Sequence, residues 1–337
     1  LREFIIAVSE HVPAPASAVN PLRSLLLKKE TVLLAILVLG VIFLATRTDK
    51  FLTVDNILNQ GRLLTEILLI ALPMTYIIIT GGIDLSVGSI LGLTAIVLGY
   101  AWKNLGLPLE LAIVVAVLLA TVAGFVNGLF IVRLGVPPLI MTLATLALYR
   151  GLAEGISQAR SVRGYPDWFF QLGQGEFLGV PTQLWFVVVA VIIAGILLSR
   201  TTFGRTLYAI GNNELGARFS GLSVDRSKLM IYALSGFMSG LAGWIFVSRV
   251  STTRSDMGTG IELDVITAVV LGGTSIFGGS GSIWGTVIGA VLIQLLKNGL
   301  NLSGMKGDAT IVIIGFVLIV AILINNFIQR RSGASRD

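Results

Sequence analysis

The chain contains no cysteine among its 337 residues and one histidine, His11. Disulfides and thiolate metal sites are thereby excluded, and most histidine-based catalysis with them. Charge is equally scarce: 12% of residues are Asp, Glu, Lys or Arg, against roughly 25% in an average soluble domain. No lysine follows a glycine, so the Gly-Lys-Ser/Thr end of a phosphate-binding loop is missing. What fills the chain instead is apolar sequence, 55% of residues, with a mean hydropathy of +0.90. A single soluble core cannot hide that much apolar surface. A helical bundle in lipid can, because the bilayer replaces the polar exterior and each helix satisfies its own backbone. The net charge of +6 does not point to nucleic acid, because the basic residues are scattered between apolar runs and form no basic face.

Ten apolar stretches near the length that crosses a bilayer lie at 31–46, 63–80, 83–102, 111–132, 139–156, 184–199, 229–248, 261–279, 281–300 and 309–328. The expected fold is therefore an all-α membrane protein of about ten transmembrane helices over 31–328. Residues 1–30, which show no signal-peptide pattern, and 329–337 read as tails. An even number of crossings puts both tails on one side. The polar loop 200–228 carries five basic residues against two acidic ones, which by the positive-inside rule makes that side cytoplasmic.

Three blocks recur in order. Gly82-Ile83-Asp84-Leu85-Ser86-Val87 matches Gly260-Ile261-Glu262-Leu263-Asp264-Val265, Thr94–Gly99 matches Thr267–Gly272, and Asn127-Gly128-Leu129 matches Asn298-Gly299-Leu300, at offsets of 178, 173 and 171 residues. The matched segments are five crossings apart, an odd number, so the expected duplication is inverted in the membrane. It makes Asp84, Ser86 and Asn127, with their repeat partners Glu262, Asp264 and Asn298, the candidates for a solute pathway or gate. The structural alternative is that Asp84 or Ser86 caps the helix after a glycine-rich turn, and that Glu66 and Asn127 join helices by hydrogen bonds. Gly272–Ser282 reads either as a flexible connector or as a broken helix beside the path. Small-residue pairs at Gly88/Gly92, Gly124/Gly128, Gly236/Gly240 and Gly285/Gly289 read as helix-packing sites. Within the polar loop, Asn213 to Ser220 predicts a short helix with Leu215 and Phe219 on one face and Glu214 and Arg218 beside them. It suits either a helix lying on the bilayer or a docking helix.

The Gly81–Gly88 turn, the Phe203-Gly204-Arg205 to Gly221 loop, Glu262-Leu263-Asp264, Gly272–Gly279 and Asn298-Gly299-Leu300-Asn301 together resemble the ribose-type permeases of bacterial ABC importers. Tyr149-Arg150-Gly151 and Ser161–Trp168 look closer to rhamnose-type or autoinducer-2-type members. The resemblance implies a multi-pass subunit of the bacterial inner membrane, not an enzyme, that imports a monosaccharide or a related polyol-like solute. It further implies a second permease subunit, a periplasmic sugar-binding protein and a cytoplasmic ATPase that holds the ATP and Mg²⁺, leaving this chain without a cofactor. Gly204, Arg205, Asn213, Glu214, Leu215, Arg218 and Phe219 would then form the segment that contacts the ATPase. An ion- or proton-coupled carrier and a membrane enzyme are the rival readings.

Overall fold

The computed structural model describes residues 29–47, 49–305, 309–320 and 323. The expected tails 1–30 and 329–337 lie outside them, apart from Lys29 and Glu30, and so does His11. In chain order the helices are α1 (Lys29–Arg47), α2 (Val54–Ile79), α3 (Val87–Lys103), α4 (Leu109–Arg133), α5 (Pro138–Ser157), the single turn α6 (Asp167–Phe170), α7 (Thr182–Arg200), α8 (Thr202–Asn212), α9 (Glu214–Phe219), α10 (Val224–Val250), α11 (Ile261–Leu271) and α12 (Ile283–Leu302). A last apolar helix, α13, covers Ala309–Val320. A two-stranded antiparallel hairpin, β1 (Glu176–Phe177) with β2 (Val180–Pro181), is an addition to the expected all-α fold.

Among the described residues, six helices are long and apolar enough to cross a membrane: α2, α4, α5, α7, α10 and α12. The ten apolar stretches each fall on a helix, but the expected crossing at 261–279 is corrected, because α11 stops at Leu271 after 11 residues. Eleven residues rise about 16 Å, half of a hydrocarbon core of about 30 Å. The helix stops because Gly273 takes φ 88° and Gly278 φ 88°, conformations that a residue with a Cβ avoids. The segment that follows is pinned: Gly279 N–H donates to Ile79 O at 2.9 Å, and the Tyr208 hydroxyl donates to Gly281 O at 2.8 Å. The flexible-connector reading is replaced by a fixed break.

α2 forms the centre. Every residue from Thr65 to Ile79 is buried, as expected for a helix that is apolar all round. α10 packs beside it and also covers α4 and α3, while α12 packs on α2, α11 and α1. Glycines set the close approaches: a Cβ on Gly236 would lie 2.9 Å from Gly124 N, and one on Gly124 2.8 Å from Gly236 Cα. The outer faces of α4, α5 and α7 leave Leu118, Val122, Leu143, Ile192, Ile193 and Ile196 exposed, which is apolar surface of the kind lipid covers.

The glycine contact gives a direct test. Gly236→Val forces its side chain into the α4 backbone and is expected to remove most folded protein from detergent extracts, judged by size-exclusion profile. Gly195→Ala on α7, where a Cβ meets nothing within 4 Å, should keep the wild-type profile.

Candidate functional site

Asp84, Ser86 and Asn127 come together at the centre of the molecule, each fully buried. The chain leaves α2 through Thr80–Ser86, and the glycines let it pass close to α10: a Cβ on Gly82 would lie 2.7 Å from the Tyr232 hydroxyl. Asp84 Oδ1 accepts from the Ser86 amide at 3.0 Å and its hydroxyl at 2.6 Å, and Oδ2 accepts from Ser235 Oγ of α10 at 2.9 Å. Asn127 Nδ2 donates to Ser86 Oγ at 2.8 Å, and Tyr149 donates to Ala123 O at 3.0 Å beside it. The carboxylate therefore orders the first turn of α3 and ties it to α4 and α10. Charge held this way, with both oxygens satisfied, is the tolerable form of a buried carboxylate.

The repeat partners are placed differently. Glu262 Oε1 accepts from the Gly260 amide at 3.2 Å, and Glu262 abuts Gly88, so the N-termini of α3 and α11 begin against one another. Arg150 of α5 bridges this junction, donating to the carbonyls of Ser255, of Met257 at 2.9 Å and of Gly88 at 3.3 Å. Asp264 is paired with Lys297 of α12, and Asn298 exchanges hydrogen bonds of 2.9 and 3.1 Å with Asn56 of α2. Asp264 and Asn298 each line a cavity, unlike Asp84, Ser86 and Asn127, which are sealed in the core.

Glu66 joins helices as expected: its Oε1 accepts from Arg249 Nε of α10 at 2.8 Å. With the Asp264–Lys297 pair it lines a cavity of about 230 Å³ between α2, α10, α11 and α12. The sequence reading missed Arg249, Lys297 and Gln294, although two charges and an amide inside apolar helices were a signal that could have found them. Each carboxylate here is matched by a cation, and no group of three or more His, Cys, Asp or Glu that could hold a metal exists among the described residues.

At the other end of α2, the polar loop forms two short helices. Asn213 caps α9, its side chain accepting from the Gly216 amide at 2.8 Å. Ala217 packs with Ile210 and Val224, and Glu214 bonds Arg218 at 3.0 Å and Lys228 at 2.6 Å while Arg218 reaches Asp225 at 2.6 Å. Burial works against the Glu214 carboxylate, but Lys228 and Arg218 outweigh it and hold its pKa below the usual range. A depressed pKa means this clamp is present above the ordinary carboxylate value and is lost as pH falls through the lowered one. With one face held, α9 presents Leu215 at 68% and Phe219 at 90% exposure. Arg205 is exposed on α8, whereas Gly204 is buried against the end of α7. α8 also touches the core, for a Cβ on Gly211 would meet Ile79 and Gly279.

A family described as "Branched-chain amino acid transport system / permease component" matches residues 54–322. The ribose import permease protein RbsC of Bacillus subtilis is 43% identical over 288 residues, covering 85% of this chain and 89% of the relative. The protein of that name from Haemophilus influenzae is 38% identical over 282 residues, covering 82% and 87%. The autoinducer 2 import system permease protein LsrD of Salmonella paratyphi A is 35% identical over 300 residues, covering 87% and 90%. No solved structure matches.

Proposed function

The chain belongs to the ribose-type permease family of ABC importers, and from that membership we propose that it carries a monosaccharide or related polyol-like solute inward, driven by a separate ATPase seated on α8 and α9. Members are transport components and not enzymes, which sets aside the ion-coupled carrier and the membrane enzyme. The observation that carries the coupling assignment is the pair Leu215 and Phe219. Both stand exposed on a helix whose opposite face and ion pairs already fix it to the fold. A rigid apolar tip with a charged rim is the anatomy of a docking site.

The relatives named for ribose and autoinducer 2 support a small hydroxylated solute. On this reading ATP and Mg²⁺ stay on the ATPase, a periplasmic binding protein delivers the solute, and a second permease subunit, of the same or a related chain, completes the path. The domain is 31–328, in the inner membrane, with the tails and the 200–228 loop cytoplasmic. Ten crossings thread the bilayer, α3 and α11 as partial ones, each completed by the non-helical segment that precedes it, 80–86 for α3 and 251–260 for α11. The inverted duplication draws support from the contacts: α2 packs on α11 and α12 as α10 packs on α3 and α4. It draws support too from the two half-helices that start back to back at Gly88 and Glu262. Asp84, Ser86, Asn127 and Glu262 then hold the hinge between the halves, while Asp264 and Asn298 stand at the path.

Sidedness tests this arrangement in a chain that has no native cysteine. Ser220→Cys, exposed after α9, should react with an impermeant maleimide only from the side that carries the ATPase, and Leu178→Cys in the hairpin only from the other. Labelling of both from one side would contradict it.

A further inference from the structure

The cavity between α2, α10, α11 and α12 has features that helix packing does not require. Glu66 is almost wholly buried, with 4% of its side chain exposed. One oxygen is taken by Arg249 at 2.8 Å, yet the other, Oε2, is buried without a hydrogen-bond partner among the described residues. A buried acceptor left unpaired is costly, and this one belongs to a residue that lines an open volume of about 230 Å³. Arg249 and Lys297 each have further N–H groups beyond the one in their ion pair. Gln294 uses its amide nitrogen on Gln60 at 2.7 Å, which leaves its oxygen as an acceptor.

The charges set the class of ligand. Glu66 and Asp264 are balanced by Arg249 and Lys297, so the wall has no net charge and offers neither a cation nor an anion a compensating field. What it does offer is several donors and acceptors in one small space, the complement of a neutral molecule with many hydroxyl groups. The location suits passage as well. Asp264 and Lys297 also line a neighbouring cavity of about 280 Å³, and Gln294 lines a third of about 410 Å³. The first two share Thr259, Asp264 and Lys297 as wall residues.

We propose that this cavity is a transit site for a neutral polyhydroxylated solute, in which Glu66 Oε2, closed off in this conformation, accepts a solute hydroxyl as the cavity opens onto it and the Asp264–Lys297 pair is the partition the solute passes. The proposal rests on the importer reading above and adds the place and the residues. The experiment uses the complete importer in proteoliposomes with radiolabelled ribose as probe and reads ribose imported per ATP hydrolysed. Glu66→Gln should lower that ratio at least tenfold. The charge swap Glu66→Arg with Arg249→Glu should assemble, because it rebuilds the ion pair, and should stay as impaired as the single variant. Restoration of the wild-type ratio by the swap would overturn the proposal, since the pair would then be only a tie between helices. An unchanged ratio in Glu66→Gln would do the same. Should Glu66→Gln fail to assemble, Lys297→Gln takes its place, with a tenfold loss expected and an unchanged ratio overturning. Failure of the wild-type importer to take up ribose or any other sugar would defeat the functional reading itself, a result distinct from one confined to the variants.

Discussion

Phe219→Ala is expected to weaken the complex with the ATPase about 30-fold and to leave the isolated chain folded as before. The side chain is 90% exposed, so its loss removes no contact within the fold, and α9 keeps its Asn213 cap and its ion pairs. Truncating a central aromatic anchor of an interface commonly costs about 2 kcal/mol or more, and each 1.4 kcal/mol is about tenfold in affinity. Glu214→Ala acts differently. It breaks a partly exposed pair network worth about 0–1 kcal/mol and should shift ATPase affinity by less than about fivefold. Affinity measured by titrating purified ATPase onto the chain in detergent or nanodiscs compares the two. A larger effect from Glu214→Ala would place the contact on the charged rim and not on the apolar tip.

The second large effect is expected at Asp84. Asp84→Leu keeps the bulk of the side chain but strips three hydrogen bonds at once, leaving the Ser86 amide and the Ser235 hydroxyl buried without an acceptor. Each buried donor left unsatisfied costs about 1–3 kcal/mol, which over two or three groups is a large share of the stability of an ordinary chain. Thermal unfolding in detergent should show a large fall in midpoint, with Ser235→Ala intermediate because it removes one bond to the carboxylate. A normal midpoint in Asp84→Leu, combined with abolished transport, would move Asp84 from the hinge to the solute path.

Much of this was legible in the sequence, and the misses have physical reasons. Apolar runs located the helices because bilayer thickness imposes a length on them. The glycine-rich Gly272–Ser282 stretch could be read as a connector or a broken helix, but composition left the crossing running through it to 279, because Ile276 and Phe277 are as apolar as a helix; the end at Leu271 is set by the backbone at Gly273. The α9 helix was predicted from Asn213 to Ser220 and found at Glu214–Phe219 with Asn213 as its cap; capping chemistry is local and so is readable. Asp84, Ser86 and Asn127 were found as a motif, yet their meeting with Ser235, 151 residues away from Asp84, is tertiary. The same holds for Glu66 with Arg249 and Asp264 with Lys297. Each charge was visible, and its partner was not, since pairing across helices leaves no spacing rule in the chain.

This chain is expected to move its solute only when a partner hydrolyses ATP on the α8–α9 side. Proteoliposomes holding the chain, its ATPase and the binding protein, with labelled ribose on the binding-protein side, test it directly. Uptake should require MgATP in the compartment that faces α9 and should continue after ion gradients are collapsed with ionophores. Uptake that proceeds without ATP and stops when a proton or sodium gradient is collapsed would contradict the account.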